Sequence, residues 1–129
     1  MARILVVDDE RDVATMLKFM LEKDGHVVAT AHDGMQALAE LGLEPFDGEK
    51  PVPDLVILDV MMPGLDGYAV CARMFKEPRT KLVPVLMLTA TGGMRELHAV
   101  TANVAAHLDK PFDPRALRDL VGEMMGGKR

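Results

Sequence analysis

Five short apolar runs punctuate the chain: ILVV (4–7), HVVAT (26–30), LVIL (55–58), PVLML (84–88) and VAAHL (104–108). Runs that are apolar on both alternating faces suit parallel strands covered by helices above and below. Between the runs the period changes. Val13, Met16, Leu17, Met20 and Leu21 fall at i, i+3, i+4, i+7 and i+8, with Gly25 following, and predict an amphipathic first helix. A second, weaker helix is expected after Asp33-Gly34, with Ala37, Leu38 and Leu41 on one face. Asp66 is placed to cap a third helix that runs to about Lys76, with Pro78 beyond its end. The last helix has the fullest pattern. Asp113 caps it, Pro114 enters the first turn, and Leu117, Leu120, Val121, Met124 and Met125 form its apolar stripe. A further helix over 94–101 is expected on few apolar positions, with two glycines ahead of it.

Strand and helix therefore alternate in five β-α repeats. Right-handed crossovers fold such a chain into an α/β, doubly wound parallel sheet with helices on both faces. The connection GLEPFDGEKPVP (42–53) carries three prolines and leads into the N-terminal end of the third strand. It reads as a surface insertion away from any site at the C-terminal strand ends.

Composition narrows this picture. The 129 residues suit one domain over 1–125, with 126–129 as a tail or the start of a linker. With 49% apolar and 27% charged residues, the chain has the makings of a folded core rather than a disordered tract. A net charge of −5 without a Lys/Arg cluster weighs against direct binding of nucleic acid or an anionic membrane by this chain. The opening MARILVVDDE is too short in its apolar part for a signal peptide or membrane helix. The single cysteine, Cys71, excludes an internal disulfide and fits a reducing cytoplasm. Within AVCARM it reads as a small packing residue.

The chemistry gathers where the apolar runs stop. Asp8 and Asp9 follow strand one, Asp59 strand three, Thr89 strand four and Lys110 strand five, whereas Ala31-His32-Asp33 after strand two shows no obvious chemistry. In an open α/β sheet ligands sit beyond the carboxyl ends of the strands, where strand order reverses. A flavodoxin-like order, 2-1-3-4-5, makes strands one and three neighbours at that point and crowds three aspartates into one crevice. Their mutual repulsion, worsened by burial, calls for a hard cation. Mg²⁺ takes a few carboxylate oxygens, keeps waters and leaves room for a phosphate oxygen. Lys110 and Thr89 add an ammonium and a hydroxyl, completing a receptacle for a phosphoryl group. Each residue also has a plainer reading: Asp8-Asp9 as a helix cap, Thr89 as a strand-end hydroxyl, Lys110 as a solvated lysine. Their joint placement favours the site.

The motifs ILVVDDE (4–10), LVILDVMMPGLDG (55–67), VLMLTA (85–90) and LDKPFDPRAL (108–117) resemble, in order and spacing, the receiver domains of two-component response regulators. The resemblance covers essentially the whole chain and implies the 2-1-3-4-5 strand order. It implies that Asp59 is the phosphoacceptor, taking a phosphoryl group from a phosphohistidine on a sensor histidine kinase or phosphotransfer protein. It implies that Asp8, Asp9, Asp59 and the Met61 carbonyl hold Mg²⁺, that Thr89 and Lys110 contact phosphoryl oxygens, and that the Lys110–Pro111 bond is cis. Ala90, small as in many relatives, would leave access to the acceptor. The domain would be both reactant and slow catalyst of its own phosphorylation.

Departures from the family pattern shape the remaining expectations. His107 stands at the switch position, three residues before Lys110, where relatives have Tyr or Phe. It reads first as a half-buried strand histidine, and second as a switch partner of Thr89. Asn103 replaces a common glycine before strand five, where asparagine tolerates left-handed backbone. Gly92-Gly93 suits a loop that shifts. Met61 and Thr91, uncharged and two residues beyond Asp59 and Thr89, would orient an attacking water weakly, so a slowly decaying phospho-form is expected.

Two other functions compete. A pseudo-receiver, binding partners without phosphorylation, conflicts with the complete set Asp8, Asp9, Asp59, Thr89 and Lys110. A metabolic aspartyl-phosphate phosphatase would carry a DxD pattern after strand one, which VVDDE lacks. The output partner is unnamed by the sequence. The chain stops at GGKR, so either a stand-alone receiver or a piece of a longer regulator is expected. Homodimerisation would use the face made by the 94–101 segment, strand five and the last helix.

Overall fold

The computed structural model describes residues 1–90 and 103–126. The expected helix over 94–101, the Gly92-Gly93 loop, Thr91 and the last three residues lie outside them. The strands are β1 (Arg3–Val7), β2 (Val27–Ala31), β3 (Leu55–Asp59), β4 (Val85–Ala90) and β5 (Val104–Lys110). The described helices are α1 (Arg11–Lys23), α2 (Gly34–Glu40), α3 (Gly67–Lys76) and α4 (Pro114–Gly126). All strand pairs are parallel and the order is β2-β1-β3-β4-β5. This is the flavodoxin-like doubly wound sheet.

Alternation explains why the central runs carry no polar face. Leu5, Val7, Val56, Leu58, Val85 and Met87 pack into one core with Ala37, Leu38, Val70 and Met74 of α2 and α3. Their neighbours Ile4, Val6, Leu55, Ile57, Leu86 and Leu88 face the other way, against Ala14, Leu17, Leu21, Leu117 and Val121 of α1 and α4. Both faces of β1, β3 and β4 are therefore buried, and each strand belongs to two cores at once.

Capping follows the sequence closely. Asp33 Oδ1 accepts the Gln36 amide at 2.8 Å and Asp66 Oδ1 the Ala69 amide at 2.9 Å. Asp113 Oδ1 accepts the Arg115 amide at 2.9 Å ahead of α4. α1 differs: its N-cap is Glu10, with no side-chain capping bond, so Asp8 and Asp9 are not its caps. Met16 also departs from the expected stripe. It is 38% exposed, and Ala14 takes the core position instead.

Gly67 opens α3 where no side chain fits. A Cβ there would lie 2.5 Å from the Asp59 carbonyl oxygen and 2.9 Å from Val60 Cα. The Gly67 amide donates to the Val60 carbonyl at 3.0 Å, closing the loop between β3 and α3.

The 42–53 connection sits at the opposite end of the sheet and is fastened down. Leu43 is buried, Gly42 turns the chain at φ 74°, and the Glu44–Pro45 bond is cis. Arg73 reaches the Leu43 carbonyl at 3.4 Å and Glu44 Oε1 at 3.1 Å, while Arg79 donates to the Lys50 carbonyl. Asn103 is not left-handed: among the described residues positive φ occurs at glycines alone. It is buried, its carbonyl accepts the Val85 amide at 2.9 Å, and its Oδ1 accepts from Cys71 Sγ at 3.4 Å. Tolerance of unusual backbone therefore does not account for the asparagine, whose buried Nδ2 has no hydrogen-bond partner among the described residues. Cys71 is buried, as a packing residue should be.

Candidate functional site

The crevice between the ends of β1 and β3 gathers the acids. Asp8 and Asp9 follow β1 directly and Asp59 is the last residue of β3. Each offers one carboxylate oxygen, and the three oxygens lie within 4.8 Å of one another. Asp8 is fully buried, Asp59 nearly so at 3% exposure, and Asp9 faces solvent.

Lys110, the last residue of β5, extends its ammonium into this cluster. Nζ lies 3.0 Å from Asp8 Oδ2, 3.4 Å from Asp59 Oδ2 and 3.3 Å from Glu10 Oε1. Its side chain is only 22% exposed, so the solvated-lysine reading fails. The peptide bond that follows, Lys110–Pro111, is cis. Backbone amides complete the set: Glu10 N donates to Asp8 Oδ1 at 2.9 Å, and Met61 N to Asp59 Oδ1 at 3.3 Å.

One ammonium does not balance this much negative charge. Burial, and then the charge of Asp8, push the Asp59 carboxyl up to about 7, and Lys110 only partly opposes them. Lys110 feels the converse. Burial pulls its pKa down, but the hydrogen bond to Asp8 and the charges of Asp59 and Asp8 outweigh that and hold it above the ordinary lysine value. Asp8 Oδ2 is buried, and the Lys110 ammonium 3.0 Å away is its charge partner. Three hard oxygens short of positive charge fit a small divalent cation, and Mg²⁺ in particular.

Thr89 stands at the same end of the sheet, within β4, and is 1% exposed. Its hydroxyl donates to Asp109 Oδ1 at 2.9 Å rather than to any of the three acids. His107 lies two residues before Asp109 on β5, paired in register with Met87, and is half-buried. The acids open onto a cleft of about 630 Å³ whose other wall is apolar, including Val13, Met16 and Phe112.

Three residues that sequence reasoning passed over take part. Glu10 shares the ammonium. Asp109 holds the Thr89 hydroxyl. His32, at the supposedly inert end of β2, has Nδ1 3.2 Å from the Asp8 carbonyl. A carbonyl only accepts, so that nitrogen carries the proton. Proximity of Glu10 to the acids is visible in DDE, but the other two contacts depend on strand register.

A parallel α/β sheet with an acid cluster and a lysine at its switch point is the architecture of a signalling receiver. The sequence matches the response regulator receiver domain over residues 4–122, and the chain belongs to that family. It is 37% identical to the response regulator PleD of Caulobacter vibrioides, over 87% of this chain and 23% of PleD. It is 39% identical to the alkaline phosphatase synthesis transcriptional regulatory protein PhoP of Bacillus subtilis, over 88% of this chain and 44% of PhoP. The chain thus spans less than half the length of these curated relatives. Among solved structures, the chemotaxis protein CheY4 of Vibrio cholerae superposes with a TM-score of 0.79 at 31% identity, covering 96% of this chain and 98% of that one. Among the described residues no helix is long and apolar enough to cross a membrane.

Proposed function

We propose that this receiver domain accepts a phosphoryl group on Asp59 from the phosphohistidine of a sensor histidine kinase or phosphotransfer protein. The observation that carries the reading is the convergence of Asp8, Asp9, Asp59 and Lys110 within one crevice, where burial and the charge of Asp8 push the Asp59 carboxyl up to about 7. An Asp59 oxygen attacks phosphorus, the bond from phosphorus to the imidazole nitrogen breaks, and the imidazole recovers a proton from solvent. Asp8, Asp9, Asp59 and the Met61 carbonyl would hold Mg²⁺, which neutralises the carboxylates and the charge that gathers on the phosphoryl oxygens. Lys110 exchanges part of its contact with the acids for a phosphoryl oxygen, and the Thr89 hydroxyl serves another. The apolar wall of the cleft suits the docking of the donor protein.

On this reading the domain is a signalling component that catalyses its own phosphorylation and slow dephosphorylation, and an acidic chain with one buried thiol suits the cytoplasm. The aspartyl phosphate would act on an output protein or domain through the Thr89/His107 face, with homodimerisation as one form of output. Incubation with acetyl phosphate and Mg²⁺, followed by intact mass, tests the reading. Wild type gains one phosphate and Asp59→Asn gains none. Absence of an adduct on wild type overturns it. With uncharged Met61 and Thr91 near the acceptor, the adduct should persist well beyond seconds; decay within seconds contradicts that part.

A further inference from the structure

The Thr89 hydroxyl has one proton, and in this structure it is committed. Thr89 is buried to 1% exposure, so its hydroxyl needs a protein partner. Asp109 Oδ1 supplies it at 2.9 Å, a hydrogen bond to a carboxylate and so stronger than one between neutral groups. The two residues are directly opposite in the β4–β5 ladder, Thr89 against Asp109 and Ala90 against Lys110. Residues opposed in this way project to the same face of the sheet. The contact is thus built into the register of the two strands rather than made by a wandering side chain. Asp109 also immediately precedes Lys110, whose ammonium touches Asp8 and Asp59.

We propose that Asp109 is a positioning residue for the switch: its carboxylate holds the Thr89 hydroxyl in the resting protein and competes for that proton with a phosphoryl group on Asp59. The inference rests on the phosphoacceptor reading above. A hydroxyl can donate to one acceptor at a time, so engagement of the phosphoryl oxygen requires the Thr89–Asp109 bond to break. Asp109 therefore sets part of the cost of activation. Because Asp109 and Lys110 are consecutive on β5, the same short stretch carries both the resting latch and the cation that meets the phosphoryl group.

The test is a double-mutant cycle read by Mg²⁺-dependent affinity for beryllofluoride, measured by calorimetry on wild type, Asp109→Ala, Thr89→Ala and the double variant. Loss of the latch should tighten binding about three- to tenfold in Asp109→Ala. In the Thr89→Ala background the same substitution should leave affinity within about twofold. Thr89→Ser, which keeps the hydroxyl, should restore the coupling. A purely structural role for Asp109 would not make its effect depend on that hydroxyl. Unchanged or weaker binding in Asp109→Ala overturns the proposal. So does a tightening that persists without Thr89, which would assign the effect to charge alone. If Asp109→Ala does not fold, the cycle is run with Asp109→Asn, which weakens the acceptor while keeping the shape; a smaller tightening, again confined to the Thr89 background, is expected, and none overturns the proposal. Failure of wild type to bind beryllofluoride at all is a separate result that removes the phosphoacceptor reading itself.

Discussion

The two ends of this sheet are built to opposite specifications. At the N-terminal rim the 42–53 connection is tied to its neighbours: Arg73 bridges Leu43, Glu44 and Glu77, Arg79 holds the Lys50 carbonyl although its buried Nε has no partner among the described residues, and Asp54 Oδ2 accepts the Arg3 amide at 2.9 Å. At the C-terminal crevice Asp8, Asp59 and Glu10 share one ammonium with Asp9 beside them, and burial and the charge of Asp8 push Asp59 up to about 7. The rim fastens the chain. The crevice is left short of positive charge, a shortfall that a proton on Asp59 or a bound cation would relieve.

The contrast breaks most visibly at Asp8. Asp8→Asn should weaken Mg²⁺ binding, followed by calorimetry, by at least the roughly 10–100-fold typical of losing even an outer partner of a metal site. The same variant, free of metal, should melt no lower than wild type. If it melts much lower, the crevice is structural after all. At the rim the expected effects reverse. Gly42→Ala places a Cβ 2.4 Å from the Asp47 carbonyl on a backbone of φ 74° and should cost about 2–3 kcal/mol in urea unfolding. Its rate of phosphorylation by acetyl phosphate should stay within twofold of wild type.

The pH dependence sharpens the same comparison. Without metal, the folded-state pKa of Asp59 lies above its unfolded value of 3.8, so the folded protein binds the extra proton between about 3.8 and 7. Stability from this group is greatest below that window and is lost as pH rises through it. Melting in EDTA should therefore show wild type losing ground to Asp59→Asn between about pH 4 and 7, by about 1–2 kcal/mol at the upper end. Added Mg²⁺ should close the gap. The smallest effect is expected at the paired surface ions of α1 and α4. Arg118 holds the two Asp24 oxygens at 2.7 Å each and, through that hydrogen bond, lowers the Asp24 pKa. Arg118→Ala should shift the melting temperature by no more than about a degree or two at pH 7, and the difference should vanish as acid protonates Asp24.

The three central strands were legible because burial on both faces leaves no polar alternation to misread. LVIL (55–58) and ILVV (4–7) fall within β3 and β1, and the acid cluster followed from asking what lies past each strand end. The boundaries moved by a few residues where polar ones continue a strand: β5 runs on through Asp109 to Lys110, which an apolar run ending at Leu108 does not reveal. The missed partners share one physical reason. The hold of Asp109 on Thr89 and of His32 on the Asp8 carbonyl are contacts between strands, set by register, and a linear pattern carries no register. Asn103 misled in another way. Its side chain answers a buried thiol rather than a backbone angle.

The closed loop between Asp59 and Gly67 bears on how a message leaves the site. With the Gly67 amide bonded back to Val60 and no room for a Cβ, the first turn of α3 is seated directly against the end of β3. On the phosphoacceptor reading proposed above, a group added to Asp59 would arrive beside this close contact rather than in open space.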